Sequence, residues 1–167
     1  MTLAVELAID CSKWEALGDL EAIAAKCLDA ALEESDETPL DGAEVSFLFC
    51  DDARIHALNL QFRGKDRPTN VLSFPTPEPL ESARVLGDIV LAYETIAREA
   101  NEQQKSLADH SRHMIVHGFL HLLGFDHENE ADAAEMEALE VRILGKLGVE
   151  NPYCVNGESE TDCNGRF

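Results

Sequence analysis

Five of the chain's six histidines fall between His110 and His127, and their spacing dictates the local path of the backbone. At 100° per residue, His110, His113, His117 and His121 lie within about 80° of one helix face. His117 and His121 are one turn apart, so their rings are neighbours and can address one point. His113 and His121 are separated by about 12 Å of helical rise, too far to converge on metal bonds of about 2.0–2.1 Å. A third ligand must therefore come from chain that turns back. Gly124 can adopt the left-handed conformation that ends a helix, and His127 stands three residues beyond it. The run His117 to His127 thus reads as a helix, a glycine turn and a returning ligand, with His117, His121 and His127 as the metal set. Three neutral nitrogen donors suit one Zn²⁺ ion and leave a fourth tetrahedral position open, which implies Lewis-acid chemistry. His56, His110 and His113 are read as hydrogen-bonded histidines rather than ligands.

The flanking chain predicts how this segment is housed. Leu3, Val5, Leu7 and Ile9 alternate with smaller or polar residues, as do Val45, Phe47 and Phe49, which is the period of half-buried strands. Val71–Phe74 and Ile89–Leu91 are two further short strands, with Gly87 and Asp88 leading into the second. Ser12 with Glu15 has capping-box spacing and predicts one helix whose buried stripe runs from Leu17 to Ala31. Asp51 or Asp52 opens a helix with Ile55, Leu58 and Phe62 inward, stopped by Gly64. Helices follow over 94–104, from Ser106 to Leu123, and over 130–147. Six acids between Glu128 and Glu140 are expected mainly on the wet face of the last one. The expectation is a single α+β domain over 1–150, a mixed sheet of about four strands packed with four to five helices. The metal site lies at the end of a central helix, and 151–167 form a flexible C-terminal tail.

Charge narrows the function. With 33 acidic against 13 basic residues the formal net charge is −20, which excludes polyanion binding driven by overall charge but not a local basic site. The most basic stretch of the front half is 64–70, containing Lys65 and Arg67. No apolar run approaches the roughly 20 residues of a membrane span, and Glu6 interrupts the opening apolar run, so neither membrane insertion nor a secretory signal is expected. Five scattered cysteines without a CxxC pair predict reduced thiols with packing roles in the cytoplasm.

The histidine spacing is that of metzincin peptidases, which place a glutamate directly after the first histidine as general base. Here that position is Gly118. A zinc peptidase is therefore the second reading, and Asp126 is expected to hold a histidine ring rather than act as base.

The run His-Gly-Phe-Leu-His-Leu-Leu-Gly-Phe-Asp-His over 117–127 resembles the signature of the YbeY family of bacterial rRNA-maturation endoribonucleases. Leu58-Asn59 with Phe62-Arg63, the run from Arg67 to Pro75, and Gly87-Asp88-Ile89 match in the same order. Phe62 and Phe125 stand where tyrosine is common, and Asn70 where aspartate often occurs. The resemblance implies a zinc-dependent, single-strand-specific endoribonuclease of the cytoplasm, acting on RNA rather than DNA. It further implies ribosomal RNA maturation at the small-subunit 3′ end, ribosome quality control, and the small subunit and its assembly proteins as partners. It carries over His117, His121 and His127 as metal ligands and Arg63 with His117 as the catalytic pair. From the residues alone Arg63 reads equally as a guanidinium that clamps a phosphate bidentately or as an exposed arginine at a helix end favouring the dipole, and the resemblance selects the first. Ser73 is expected either to hydrogen-bond substrate from a strand end or to be a buried hydroxyl satisfied by backbone, Asp88 to cap or turn a strand entry, and Lys65 and Arg67 to be phosphate guides or ordinary loop charges. Water and the neighbouring 2′-hydroxyl both stay open as nucleophile. A third reading is a non-catalytic ribosome-assembly module braced by the metal.

Overall fold

The computed structural model describes residues 2–154. Period-two alternation produces four strands, β1 (Ala4–Ile9), β2 (Glu44–Cys50), β3 (Val71–Pro75) and β4 (Val85–Ala92). They form one mixed sheet in the order β1-β2-β4-β3, with β1, β2 and β4 parallel and β3 antiparallel to β4. Five α-helices surround it: α1 (Leu20–Ser35), α2 (Asp52–Arg63), α3 (Tyr93–Glu102), α4 (Leu107–Leu122) and α5 (Glu130–Lys146). The expected α+β class and mixed four-stranded sheet are those observed.

Alternation along β4 assigns its two faces. Ile89 and Leu91 join the main core with Phe47, Phe49 and the apolar sides of α1, α4 and α5. Val90 and Ala92 point the other way, into a smaller cluster with Ile55 of α2 and Leu72 of β3. The helix α4 is central, in contact with α1, α3, α5, β3 and β4. Ten of its sixteen residues are buried, so the helix is held from nearly every side.

Several local expectations are corrected. Ser12 does not open α1; Ser12–Leu17 is a short 3-10 segment that ends at Gly18, whose φ is +82°. A residue at that angle cannot continue a right-handed helix. The true cap is Asp19, whose carboxylate accepts the Ala22 N–H at 3.0 Å. The 3-10 segment is instead anchored by Trp14, fully buried and donating its indole N–H to the Cys50 carbonyl at 2.9 Å. On α2, Phe62 is 58% exposed, while Asn59 is buried. The Asn59 amide donates to the Arg67 carbonyl at 2.8 Å, folding the basic 64–70 loop back against its helix. Asp88 lies inside β4, paired with Ser46 and Phe74, with an exposed side chain rather than an entry role. Cys11, Cys27 and Cys50 are free thiols, as expected, and burial pushes Cys27 and Cys50 up to about 12. Cys154 departs from the expectation, being disulfide-bonded. The expected tail lies outside the described residues from 155 onward.

Gly87 seats α4 on the sheet. Its φ is +142°, and an added Cβ would stand 2.3 Å from the Phe74 carbonyl oxygen and 2.9 Å from the end of Leu122. Gly87→Ala must displace β3 backbone, and a loss of about 2–4 kcal/mol is expected. A fall in the urea midpoint at unchanged slope measures it; an unchanged midpoint would contradict this packing.

Candidate metal centre

The C-terminal end of α4 builds the site. The helix starts at Ser106, whose hydroxyl accepts the Asp109 N–H at 3.0 Å. It ends in a Schellman arrangement: the Gly124 N–H reaches the His121 carbonyl at 3.1 Å and the Phe125 N–H the Leu120 carbonyl at 3.0 Å. Gly124, at φ +101°, reverses the chain as its position in the sequence predicts. The reversal brings His127 beside His117 and His121, with ring centroids 5.6 and 5.1 Å away. One ring nitrogen from each of the three lies within 4.8 Å of the others.

Hydrogen bonds on the far side of two rings set their protonation. His121 Nδ1 lies 3.0 Å from the Phe125 carbonyl, which only accepts, so Nδ1 carries the proton. His117 Nδ1 lies 2.5 Å from Oε1 of Glu140. Burial raises the Glu140 pKa, but hydrogen bonds from His113 and His117 outweigh it and hold the carboxyl at about 2. It is therefore an ionised acceptor, and His117 Nδ1 is the donor. Burial, with His117 and His127 nearby, draws the His121 pKa below its usual value and favours the neutral ring. The Nε2 atoms, on the opposite side of each ring, face each other at 3.2 Å, close enough for one ring to hydrogen-bond the other or for both to address one cation. Donors at 2.0–2.1 Å around a tetrahedral ion stand about 3.3 Å apart, so the donor set fits a single metal ion.

A cleft of about 630 Å³ opens over this cluster, with Arg63, Lys65 and Arg67 lining it alongside the three histidines. Arg63 occupies the last turn of α2, donates to the Ser73 carbonyl at 2.7 Å, and lies over the Phe74 ring at 5.6 Å. The Ser73 hydroxyl donates to the Gly118 carbonyl at 2.8 Å, the backbone-satisfied arrangement of the two expected. Gly118 faces the sheet: a Cβ there would meet Ile89 at 3.0 Å, Ser73 Oγ at 3.1 Å and Val71 at 3.2 Å. That position has no room for the glutamate a metzincin peptidase places there.

The remaining histidines have other partners. His110 pairs with Glu99 at 3.0 Å, His113 with Glu140 at 3.1 Å, and His56 with Asp66 at 2.7 Å. Asp126 does not hold a ring; its carboxylate accepts the His127 backbone N–H at 2.7 Å and shapes the returning loop instead. The ring holders are the Phe125 carbonyl and Glu140. Sequence reasoning placed Glu140 among the wet-face acids, yet it is 0% exposed. The available signal was its register, four residues after Met136 and three before Ile143, both on the buried side of α5.

A cation held by these three rings in the folded chain alone makes metal binding a stability term. Zn²⁺ at about one hundred times its Kd is expected to stabilise the fold by about 2.7 kcal/mol, with a rise in Tm that a chelator reverses. His121→Ala abolishes the rise; a Tm indifferent to added metal in the parent protein would contradict the site.

Comparison with known proteins bears on both fold and site. The sequence model of one family, described as Endoribonuclease YbeY, matches residues 8–148. A protein named Endoribonuclease YbeY from Dinoroseobacter shibae is 53% identical over 164 residues, covering 89% of this chain and 90% of its own length. One of the same name from Methylocella silvestris is 46% identical over 153 residues, covering 92% and 87%. The solution structure of TM1509 from Thermotoga maritima superposes with a TM-score of 0.56 at 24% identity, covering 93% of this chain and 99% of that one, which supports the fold.

Proposed function

The chain belongs to the YbeY family, and on that premise we propose that it is a metal-dependent endoribonuclease cutting single-stranded RNA. The observation that carries the reading is local. In a chain of net charge −20, a three-histidine donor cluster and Arg63, Lys65 and Arg67 line one cleft. This juxtaposition suits a phosphodiester, whose charge needs both a Lewis acid and a guanidinium. A peptide bond would need a base that Gly118 does not supply.

His117, His121 and His127 would hold one ion, for which Zn²⁺ fits the all-nitrogen donor set. When bound, the ion supplies Lewis-acid polarisation of a phosphoryl oxygen. Arg63 offers its remaining guanidinium hydrogens to the scissile phosphate, and the bond to Ser73 with the Phe74 face beneath fixes its plane. Lys65 and Arg67 follow the flanking phosphates as point charges. His117 acts through Nε2, because its Nδ1 proton is committed to Glu140. Either water or the adjacent 2′-hydroxyl can attack in line. A 2′,3′-cyclic phosphate end on the product identifies the hydroxyl route, and a 5′-phosphate formed directly identifies water.

The acidic remainder of the surface repels free RNA, so a macromolecular partner that presents the substrate fits this chain. Ribosomal RNA in the small subunit, near its 3′ end, and the subunit's assembly proteins are the proposed context, in the cytoplasm. Among the described residues no helix is long and apolar enough to cross a membrane. A non-catalytic assembly role is the second reading, and His117→Ala with His121→Ala separates the two. Loss of RNA cleavage with a Tm close to that of the metal-free parent supports catalysis, whereas collapse of the fold with full specific activity in the surviving fraction supports the brace.

Arg63→Ala is expected to lower kcat/KM by about 10²–10³, the usual cost of removing one donor to transition-state charge. Arg63→Lys should recover little of it, since an ammonium lacks the planar fork; activity unchanged in both variants would remove Arg63 from the mechanism. Three cleft cations imply that log K for single-stranded RNA falls against log salt with a slope of about −2. A flat titration would mean that Arg63, Lys65 and Arg67 do not touch phosphates.

A further inference from the structure

Glu140 is a fully buried carboxylate, and among the described residues none of its partners is a lysine or arginine. Its Oε1 accepts from His117 Nδ1 at 2.5 Å. Its Oε2 accepts from His113 Nε2 at 3.1 Å and from the Tyr153 hydroxyl. His113 Nδ1 is buried with no hydrogen-bond partner, which fits a ring whose single proton is on Nε2, toward Glu140. Three side chains from α4 and the segment after α5 thus converge as donors on one charge. An ionised group is costly to bury, but only a carboxylate offers an acceptor oxygen on both sides to these donors, where an amide would present one oxygen and an NH2 that cannot accept. The charge stands directly behind the His117 ring, and His117 lines the cleft.

We propose that Glu140 is a positioning residue of the metal centre, holding His117 in its Nδ1–H form and strengthening Nε2 as a donor to the cation. His113 and Tyr153 occupy the second oxygen and so fix the carboxylate with Oε1 toward His117. A carboxylate on the far nitrogen of a ligating imidazole fixes the tautomer, orients the ring and raises its basicity. The buried negative charge also offsets part of the charge the ion brings. This inference rests on the metal-centre reading above and adds to it the residue on which one ligand leans.

The test is Zn²⁺ affinity, measured by competition with a chromophoric chelator on the full chain and its Glu140→Gln variant. The substitution keeps the shape and one acceptor oxygen but removes the charge and the second acceptor, and affinity is expected to fall about 10–100-fold, with the circular dichroism spectrum unchanged. Glu99→Gln is the control. It neutralises a half-buried carboxylate that pairs with His110, a histidine outside the donor cluster, and should leave affinity within about twofold. Equal affinity in Glu140→Gln and the parent overturns the proposal, as does an equal fall in both variants. A parent chain that binds no zinc overturns the metal reading along with it. Should Glu140→Gln fail to fold, nitrogen-15 imidazole spectra of the metal-free parent decide the matter. A protonated Nδ1 on His117 supports the proposal, and a protonated Nε2 overturns it.

Discussion

Two imidazole nitrogens facing each other at 3.2 Å are the arrangement around which the site is organised. The fold holds them at a spacing that suits one shared cation. It does so by burying α4 among three helices and two strands and by terminating it at one glycine turn. The ring on each side is then pinned from behind, by a carbonyl for His121 and a carboxylate for His117. Rotation of either ring would break a partly buried hydrogen bond as well as uncouple the donors. The close seat of α4 on β3 and β4, through Gly87 and Gly118, fixes where this assembly stands relative to Arg63.

Much of this was legible in the sequence because it rests on short-range rules. The spacing of His117, His121, Gly124 and His127 encodes a helix, a reversal and a return without any tertiary information. Strand alternation and the caps at Asp51 and Ser106 are equally local. The failures share a different cause. Ser12 and Glu15 satisfy a capping pattern that a 3-10 turn also satisfies, and the choice was made by Gly18 and by the burial of Trp14 against Cys50. Phe62 carries the right period for the inner face of α2, but the cluster beneath that helix is small and leaves the ring exposed. Glu140 disappeared into a run of acids because composition says nothing about which member of the run turns inward. Only the helical register with Met136 and Ile143 distinguishes it, and its partners His113, His117 and Tyr153 lie elsewhere in the chain.

The electrostatics follow the same division between global and local. A net charge of −20 makes the surface as a whole unsuited to nucleic acid. Arg63, Lys65 and Arg67 gather positive charge along one cleft, beside Asp126 and Glu128, and Asn59 holds the 64–70 loop in place through the Arg67 carbonyl. A strand of RNA would thus find one attractive channel on a repulsive body. Such a design discriminates against casual binding and gives weight to a partner that delivers the substrate.

The most direct test of the central claim is zinc K-edge absorption of the metal-loaded protein at one ion per chain. The account predicts three imidazole nitrogens and one exchangeable light atom at about 2.0–2.1 Å. A sulfur neighbour, a fourth protein nitrogen or scattering from fewer than three imidazoles would contradict it.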